Sequence, residues 1–348
     1  MAVLENLTPF GVFSSPTVTR DGDEVWLVCL AAHFCLPEPG ATSVTSLVSC
    51  EDQPPPPLAD QYWGDPASSS LKVEGQGTWY RPWTDISLVG QAWAPGRRPS
   101  IAVKVRLRVG TVELASVVIG DRRWQRRLLG EVTISEPEPF LSLPLQWERA
   151  FGGTWSPPPG QKGKSLWEPR NPVGRGLYPD AAAADGQLLP NVERLDQRIQ
   201  SLSDRPRPVG YSPVARHWAP RRPLGGTFDD QWTQKRAPFW PADLDQRFFC
   251  AAPTELQTRQ FLQGGEPVEL EGVHPDGHLL FFLPRLAFSL RTELGRQTDR
   301  RALNLDGVEI RSDDGRLSLY YRAAVPAPQG VLALKSCWVR QLEPWELA

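Results

Sequence analysis

The sequence predicts a mainly β protein: packed antiparallel sheets in a sandwich-like arrangement, with long Pro/Gly-rich loops and few short helices. Three observations carry this. Proline accounts for 36 of 348 residues and glycine for 29, while 14 tryptophans and 40% hydrophobic residues argue for a folded chain rather than a disordered one. Second, IAVKVRLRVG alternates Ile101, Val103, Val105, Leu107 and Val109 with Ala102, Lys104, Arg106 and Arg108, the period-2 pattern of a half-buried strand. Third, EVWLVCLAAHF (Glu24 to Phe34) is a near-continuous apolar run, as expected of a strand covered on both faces.

Taken in order, the run at Glu24 buries Cys29 as a small hydrophobe, and PPPP at Pro54 to Pro57 marks a stiff connection that cannot join a central strand. Gly110 and Thr111 turn the alternating strand into VELASVVIG, forming a hairpin. The stripe of Lys104, Arg106 and Arg108 reads as a solvated outer face or a contact for an acidic partner. From about Glu136 to Pro241 the chain is dense in Pro, Gly, Trp and Arg, predicting long ordered connections. Val192, Leu195, Ile199 and Leu202 have helical spacing, so a short helix is expected within Asn191 to Ser203. Thr254 and Gln257 form a capping-box pattern for another, closed by Gly264 and Gly265. Asp314 and Gly315 separate two strand-like runs between Leu303 and Val325, a hairpin signal. EPEPF near Glu136 divides the chain into an N-terminal β-rich region (1–135) and a motif-rich β/loop region (136–348), expected to pack together as one unit.

Formal net charge is −2, so no global positive field draws in phosphate backbones, and nucleic acid is not an expected partner. The start, MAVLENLTPFG, has no signal-peptide pattern and no apolar run approaches bilayer length; no membrane partner and a cytoplasmic location are expected. Five cysteines without a CxxC pair read as reduced thiols.

No catalytic, cofactor-binding or metal-binding residue is assigned, and no cofactor is expected. GQKGKS (Gly160 to Ser165) lacks the first glycine of a phosphate-binding loop, since Pro158 stands there. His274 and His278 are four apart, but Pro275 and Gly277 between them make a turn rather than a metal-binding helix face. Glu148, Asp229 with Asp230, and Asp243 with Asp245 are the carboxylates that could serve a glycosidic bond, with tryptophans stacking sugar rings. A carbohydrate-binding or glycoside-hydrolysing protein is therefore the alternative reading.

PLQWERAFGG (Pro144 to Gly153) places Glu148 between aromatic and cationic neighbours. If extended, it puts Trp147 and Arg149 on one face in cation–π contact, while Glu148 accepts hydrogen bonds from an arginine or amides of the following loops. Gly152 and Gly153 then supply backbone angles closed to other residues.

PLQWERAFGG, NPVGRG (Asn171 to Gly176), LPNVE (Leu189 to Glu193), the stretch from Gly225 to Pro253 and FLQGGEPVEL (Phe261 to Leu270), with TDISLVGQAWAP (Thr84 to Pro95) and VIGDRRW (Val118 to Trp124) upstream, occur in the order seen in the domain of unknown function 2169 family. The resemblance covers roughly Val25 to Val325. One departure lies near the start, where LAAHF stands in place of the VKATF-like strand of many members, and the pentapeptide repeats of some relatives are lacking.

The resemblance implies a cytoplasmic accessory of bacterial type VI secretion: a non-enzymatic adaptor or chaperone that binds a toxic effector protein and assists its loading onto the spike trimer or its PAAR-type tip. A structural component of the apparatus is a further alternative. The motif residues carried over, with structural or partner-binding roles, are Trp147, Glu148, Arg149, Phe151, Gly152, Gly153, Asn171, Pro172, Gly174, Gly176, Thr227, Asp229, Trp232, Arg236, Asp243, Asp245 and Phe248. Trp218, Trp232 and Trp240 are the candidate partner anchors.

Overall fold

The computed structural model describes residues 3–40, 44–127, 131–160 and 162–346. The chain opens with β1 (Val3–Leu7), β2 (Gly11–Val18) and β3 (Glu24–Cys35), then reaches β4 (Asp85–Val89) and the hairpin β5 (Ala102–Val109) and β6 (Val112–Ile119). A long region rich in turns follows, holding α1 (Ala181–Ala184), β7 (Val192–Arg194), α2 (Arg221–Leu224) and α3 (Asp230–Lys235). The last third carries β8 (Pro267–Glu271), β9 (Leu279–Phe282), β10 (Phe288–Leu294), β11 (Gln297–Ala302), β12 (Asn304–Arg311), β13 (Arg316–Pro326) and β14 (Leu334–Gln341).

These strands build three main sheets. The largest runs β2-β3-β13-β12-β4, with the short strand Val48–Ser49 on the end of β3; a second runs β7-β6-β5-β8-β9 and a third β1-β14-β10-β11. Pairing within these three sheets is antiparallel except between β4 and β12 and between β1 and β14. Each of the three draws strands from both sides of the Glu136 to Pro139 boundary. One apolar core joins them, with Val28 and Leu30 of β3, Leu107 of β5, Leu290 of β10 and Val339 of β14 all buried. The fold is mainly β with several antiparallel sheets and only short helices, as the composition and periodicity predict.

β3 is buried along nearly its whole length, between β2 and β13 in the sheet, and this matches its unbroken apolar run. β5 buries every second residue, and β6 pairs with it from Val112↔Val109 onwards. The basic stripe finds its acids inside the protein: Arg106 contacts Glu269 at 2.8 Å and Glu271 at 2.6 Å on the adjacent β8. The β12–β13 hairpin turns at Asp314 and Gly315. All five cysteines are free thiols, Cys29 is buried, and Cys35 and Cys50 lie with sulfurs 3.0 Å apart. No helix among the described residues is long and apolar enough to cross a membrane.

Two expected helices differ. Asn191 to Ser203 contains β7 instead: Val192 and Glu193 pair with β6, the Asn191 side chain donates to the Ile119 carbonyl, and Leu195 is exposed. Backbone partners on an open sheet edge override a four-residue apolar spacing. At Thr254 only a 3-10 turn forms, Thr254–Leu256, without a side-chain cap; the Gln257 amide donates to the Ala252 carbonyl. Gly264 and Gly265 pack against Pro284 and Arg285 at positive φ rather than closing a helix. In GQKGKS, Gln161 lies outside the described residues, and Lys162 and Lys164 are exposed between the short paired strands Thr154–Trp155 and Leu166–Trp167.

Truncation of Leu107, which is fully buried, to alanine is expected to lower stability by ~2–5 kcal/mol. Lys104→Ala, on the exposed face of the same strand, should change it by less than ~0.5 kcal/mol. Urea unfolding of the two variants measures both.

Candidate interaction surface

The sequence-predicted motif residues divide into an interior frame and an exposed knuckle. In the frame, Trp147 to Arg149 form a 3-10 turn rather than an extended segment. Trp147 and Arg149 therefore diverge and make no cation–π pair. The Trp147 indole N–H donates to the Ser212 carbonyl at 3.1 Å, and its ring meets Trp218 edge-on at 6.2 Å. Arg149 donates to Asn191 Oδ1 at 2.8 Å. Glu148 has neither an arginine nor a downstream amide as its partner: it accepts from the Ser70 backbone N–H and hydroxyl, each at 2.7 Å. The carboxylate thus ties the motif to the chain upstream of it.

Asn171, fully buried, donates from its side-chain nitrogen to the carbonyls of Trp147 at 2.8 Å and Phe151 at 3.0 Å, closing the loop over the turn. Gly152 (φ 148°) and Gly153 (φ 100°) adopt angles that favour glycine, and a Cβ on them would fall 2.2 Å from the Asn171 carbonyl oxygen and 2.4 Å from that of Gly174. A Cβ on Gly174 would meet the Asn171 side chain, and one on Gly176 would meet Pro190. The Pro172 carbonyl accepts from the Thr154 hydroxyl, and Phe151 is buried with Trp124 and Leu189. These residues form a packed frame.

Behind it lies a charged cluster that residue patterns alone did not single out. Glu74 contacts Arg81 at 3.0 Å, Arg221 at 2.6 Å and Arg216 at 3.3 Å; Arg81 also lies 3.6 Å from Asp306, which pairs with Arg322. Glu74, Arg81, Arg221, Asp306 and Arg322 are each at most 4% exposed. Arg221 further donates to the carbonyls of Val214 and Phe248, Arg81 to that of Phe249, and Arg322 to that of Gln76. Burial alone would push the Glu74 carboxyl up, but Arg221, Arg81 and Arg216 outweigh it and hold the carboxyl below its ordinary value. Asp85 goes the other way: burial raises it to about 6, against Arg81 and the amides of Ala251 and Ala252. The space beside the cluster is about 30 Å³, room for a water or two and no larger ligand. A sequence signal existed in the single charges inside strands, Asp306 in LNLDGVEI and Arg322 in LYYRAAV.

The exposed knuckle spans residues 226–240. Thr227 closes its neck, donating from its amide and hydroxyl to Asp243 at 2.9 and 2.8 Å. Asp229 caps α3 by accepting from the Trp232 amide, and the Trp232 indole donates to the Phe239 carbonyl, both at 2.8 Å. Arg236 holds the returning chain to the Trp240 carbonyl at 2.6 Å and to Asp21 and the Arg20 carbonyl, each at 2.9 Å, on the β2–β3 turn. Phe228 and Trp232 meet edge-on at 4.9 Å; Phe228 is 57% and Phe239 40% exposed, and Trp232 is half-buried.

Of the three anchor candidates, only Trp232 belongs to this exposed set. Trp218, 1% exposed, is core and presents no surface. Trp240 packs on Phe248 at 5.5 Å and Phe249 at 5.7 Å, fixing the knuckle to the body. The carboxylates are engaged locally: Asp229 and Asp243 as described, and Asp245 with the Arg247 guanidinium at 2.6 Å. His274 accepts from the Asp276 amide within its turn, and no group of three or more metal-ligating side chains occurs among the described residues.

A family model described as "Uncharacterized protein conserved in bacteria (DUF2169)" matches residues 21–322. The chain belongs to this family. No curated protein and no solved structure matches it. The DUF2169 match spans the frame, the knuckle and β13 as far as Arg322, the last member of the buried charged cluster.

Removing the charge of Glu74 leaves Arg81 and Arg221 buried without their carboxylate, so Glu74→Gln is expected to destabilise the protein by ~3–5 kcal/mol in urea unfolding. For Asp85, the folded carboxyl titrates near 6 and the unfolded one near 3.8. Its contribution is therefore fully present below the unfolded value and is lost as pH rises through the folded one. The stability of wild type minus that of Asp85→Asn should fall as pH rises across this window, which parallel thermal melts at several pH values measure.

Proposed function

We propose that this protein is a non-enzymatic adaptor of type VI secretion, acting in the cytoplasm to bind a toxic effector and assist its loading onto the spike trimer or its PAAR-type tip. The observation that carries this reading is the knuckle: Phe228, Trp232 and Phe239 are held outside the core by polar contacts at its neck and return. Aromatic side chains on a rigid mount suit recognition, because they bring large apolar area with little rotamer freedom to lose. Membership of DUF2169 and the motif order add support through the resemblance to secretion accessories. Arg222, Asp230 and Lys235, exposed at or near the knuckle, supply the polar rim that sets orientation around an apolar centre.

The test is affinity isolation of tagged protein from its native host, with and without the spike genes, followed by mass spectrometry and by titration against the captured effector. Wild type should recover one effector stoichiometrically. A Phe228→Ser/Phe239→Ser variant with an unchanged melting temperature should bind it at least ~30-fold more weakly, the scale of losing one aromatic hot spot. A folded, expressed wild type that recovers neither effector nor spike components would overturn the reading.

A further inference from the structure

The third sheet, β1-β14-β10-β11, turns one face to the core and the other outward. Leu290, Thr292 and Leu294 of β10 and Cys337 and Val339 of β14 are buried; Arg291, Trp338 and Arg340 alternate with them, and Arg300 of β11 joins their outward face. Strand register sets Trp338, Arg291 and Arg300 in one row across three strands. The Arg291 guanidinium lies 5.5 Å from the centre of the Trp338 ring, and the face forms an open cleft of about 560 Å³.

One arginine lining this cleft, Arg340, already holds a carboxylate. Glu346, in the turn Pro344–Glu346, accepts from both terminal nitrogens of Arg340, at 2.8 and 2.6 Å. The Arg340 hydrogen bonds, with the Glu343 amide and the charges of Arg340 and Arg300, hold its carboxyl down to about 2. Arg291 lies 3.9 Å from Glu293, whereas Arg300 is steadied by the Ser289 hydroxyl at 3.0 Å and has no ion-pair partner among the described residues.

The edge beside this row is open. β11 pairs with β10 on one side and, among the described residues, has no strand on the other, and five of its six residues are exposed. An edge strand directs every second N–H and C=O outward, ready for another strand. A second cleft of about 430 Å³ flanks β11, between Asp299, Arg301 and the segment Pro326–Gln329.

We infer that β11 takes an acidic extended segment of a partner protein, added as a fifth strand with a carboxylate opposite Arg300, in the row that Arg291 and Trp338 continue. Directly opposed side chains on paired strands stand ~5 Å apart, within ion-pair reach for glutamate and arginine. A strand's period of two then aligns every second residue with the outward face. Glu5 and Glu293 share that face on β1 and β10, whereas on the edge strand itself Arg300 is the charged outward side chain, between Thr298 and Ala302. The inference does not depend on the loading role, and either can fail alone.

The probe is a labelled ten-residue peptide alternating glutamate and valine, titrated by fluorescence anisotropy beside its lysine-for-glutamate counterpart and a single-stranded oligonucleotide. Hydrogen exchange of the β11 amides is followed in parallel. The glutamate peptide should bind, slow exchange across residues 297–302, and bind about tenfold more weakly to Arg291→Glu/Arg300→Glu; the lysine peptide should not bind. Absence of binding, unchanged affinity in the variant, unprotected β11 amides, or equal binding of the oligonucleotide would each overturn the inference. Should the double variant fold poorly, Arg300→Gln, at an exposed position, is judged by the same loss of affinity. The Phe228→Ser/Phe239→Ser variant should keep peptide binding intact, which separates this surface from the knuckle.

Discussion

The buried charges around Glu74 hold together parts of the chain that have little other reason to meet. Glu74 and Arg81 come from the connection before β4, Arg221 from the region between β7 and α3, and Asp306 and Arg322 from the β12–β13 hairpin. Taking such ions out of water costs several kcal/mol each, recovered only when geometry and hydrogen bonds are nearly complete. Here the arginines complete them with backbone carbonyls of loops, so irregular segments are held as firmly as strands. A long stretch poor in secondary structure can then remain ordered.

That arrangement explains which parts of the fold were legible. Strands were readable where one face is wet and the other dry, as in β5, or where both are dry, as in β3, because burial writes itself into residue type. β7 was misread because three residues pairing at a sheet edge leave no period, while Val192 and Ile199 face different neighbours by accident of the loop. For Glu148 the sequence suggests an arginine or amides of the following loops, but its partner Ser70 lies 78 positions upstream, a pairing no local spacing encodes. The positive-φ glycines after Phe151 were legible as such. No local pattern assembles the charged cluster: Asp306 and Arg322 stand out as lone charges inside strands, but Glu74, Arg81 and Arg221 read singly as ordinary surface residues until the topology gathers them. Trp218 and Trp240 illustrate the complementary difficulty: the same residue type serves core, mount and surface, and only burial tells them apart.

The two exposed features differ in physical character. The knuckle is aromatic, mounted by Arg236 and Asp243 on the body, and offers shape and apolar area. The third sheet offers an unpaired backbone edge and oriented guanidinium groups, one already gripping a carboxylate. Apolar anchors chiefly set how long a complex lasts, while charged faces steer encounter and register. Keeping those two contributions on separate surfaces lets each vary without altering the other.

The pairing of β3 with β13 joins Cys35 to Arg316 and Val25 to Pro326. A ribosome therefore releases β3 long before its central neighbour exists, and β1 waits longer still for β14. With so many contacts between distant positions, loop closure must precede most of the stabilisation, the condition that slows folding. The apolar run of β3 consequently spends most of synthesis without its central partner, the condition under which exposed apolar surface favours aggregation.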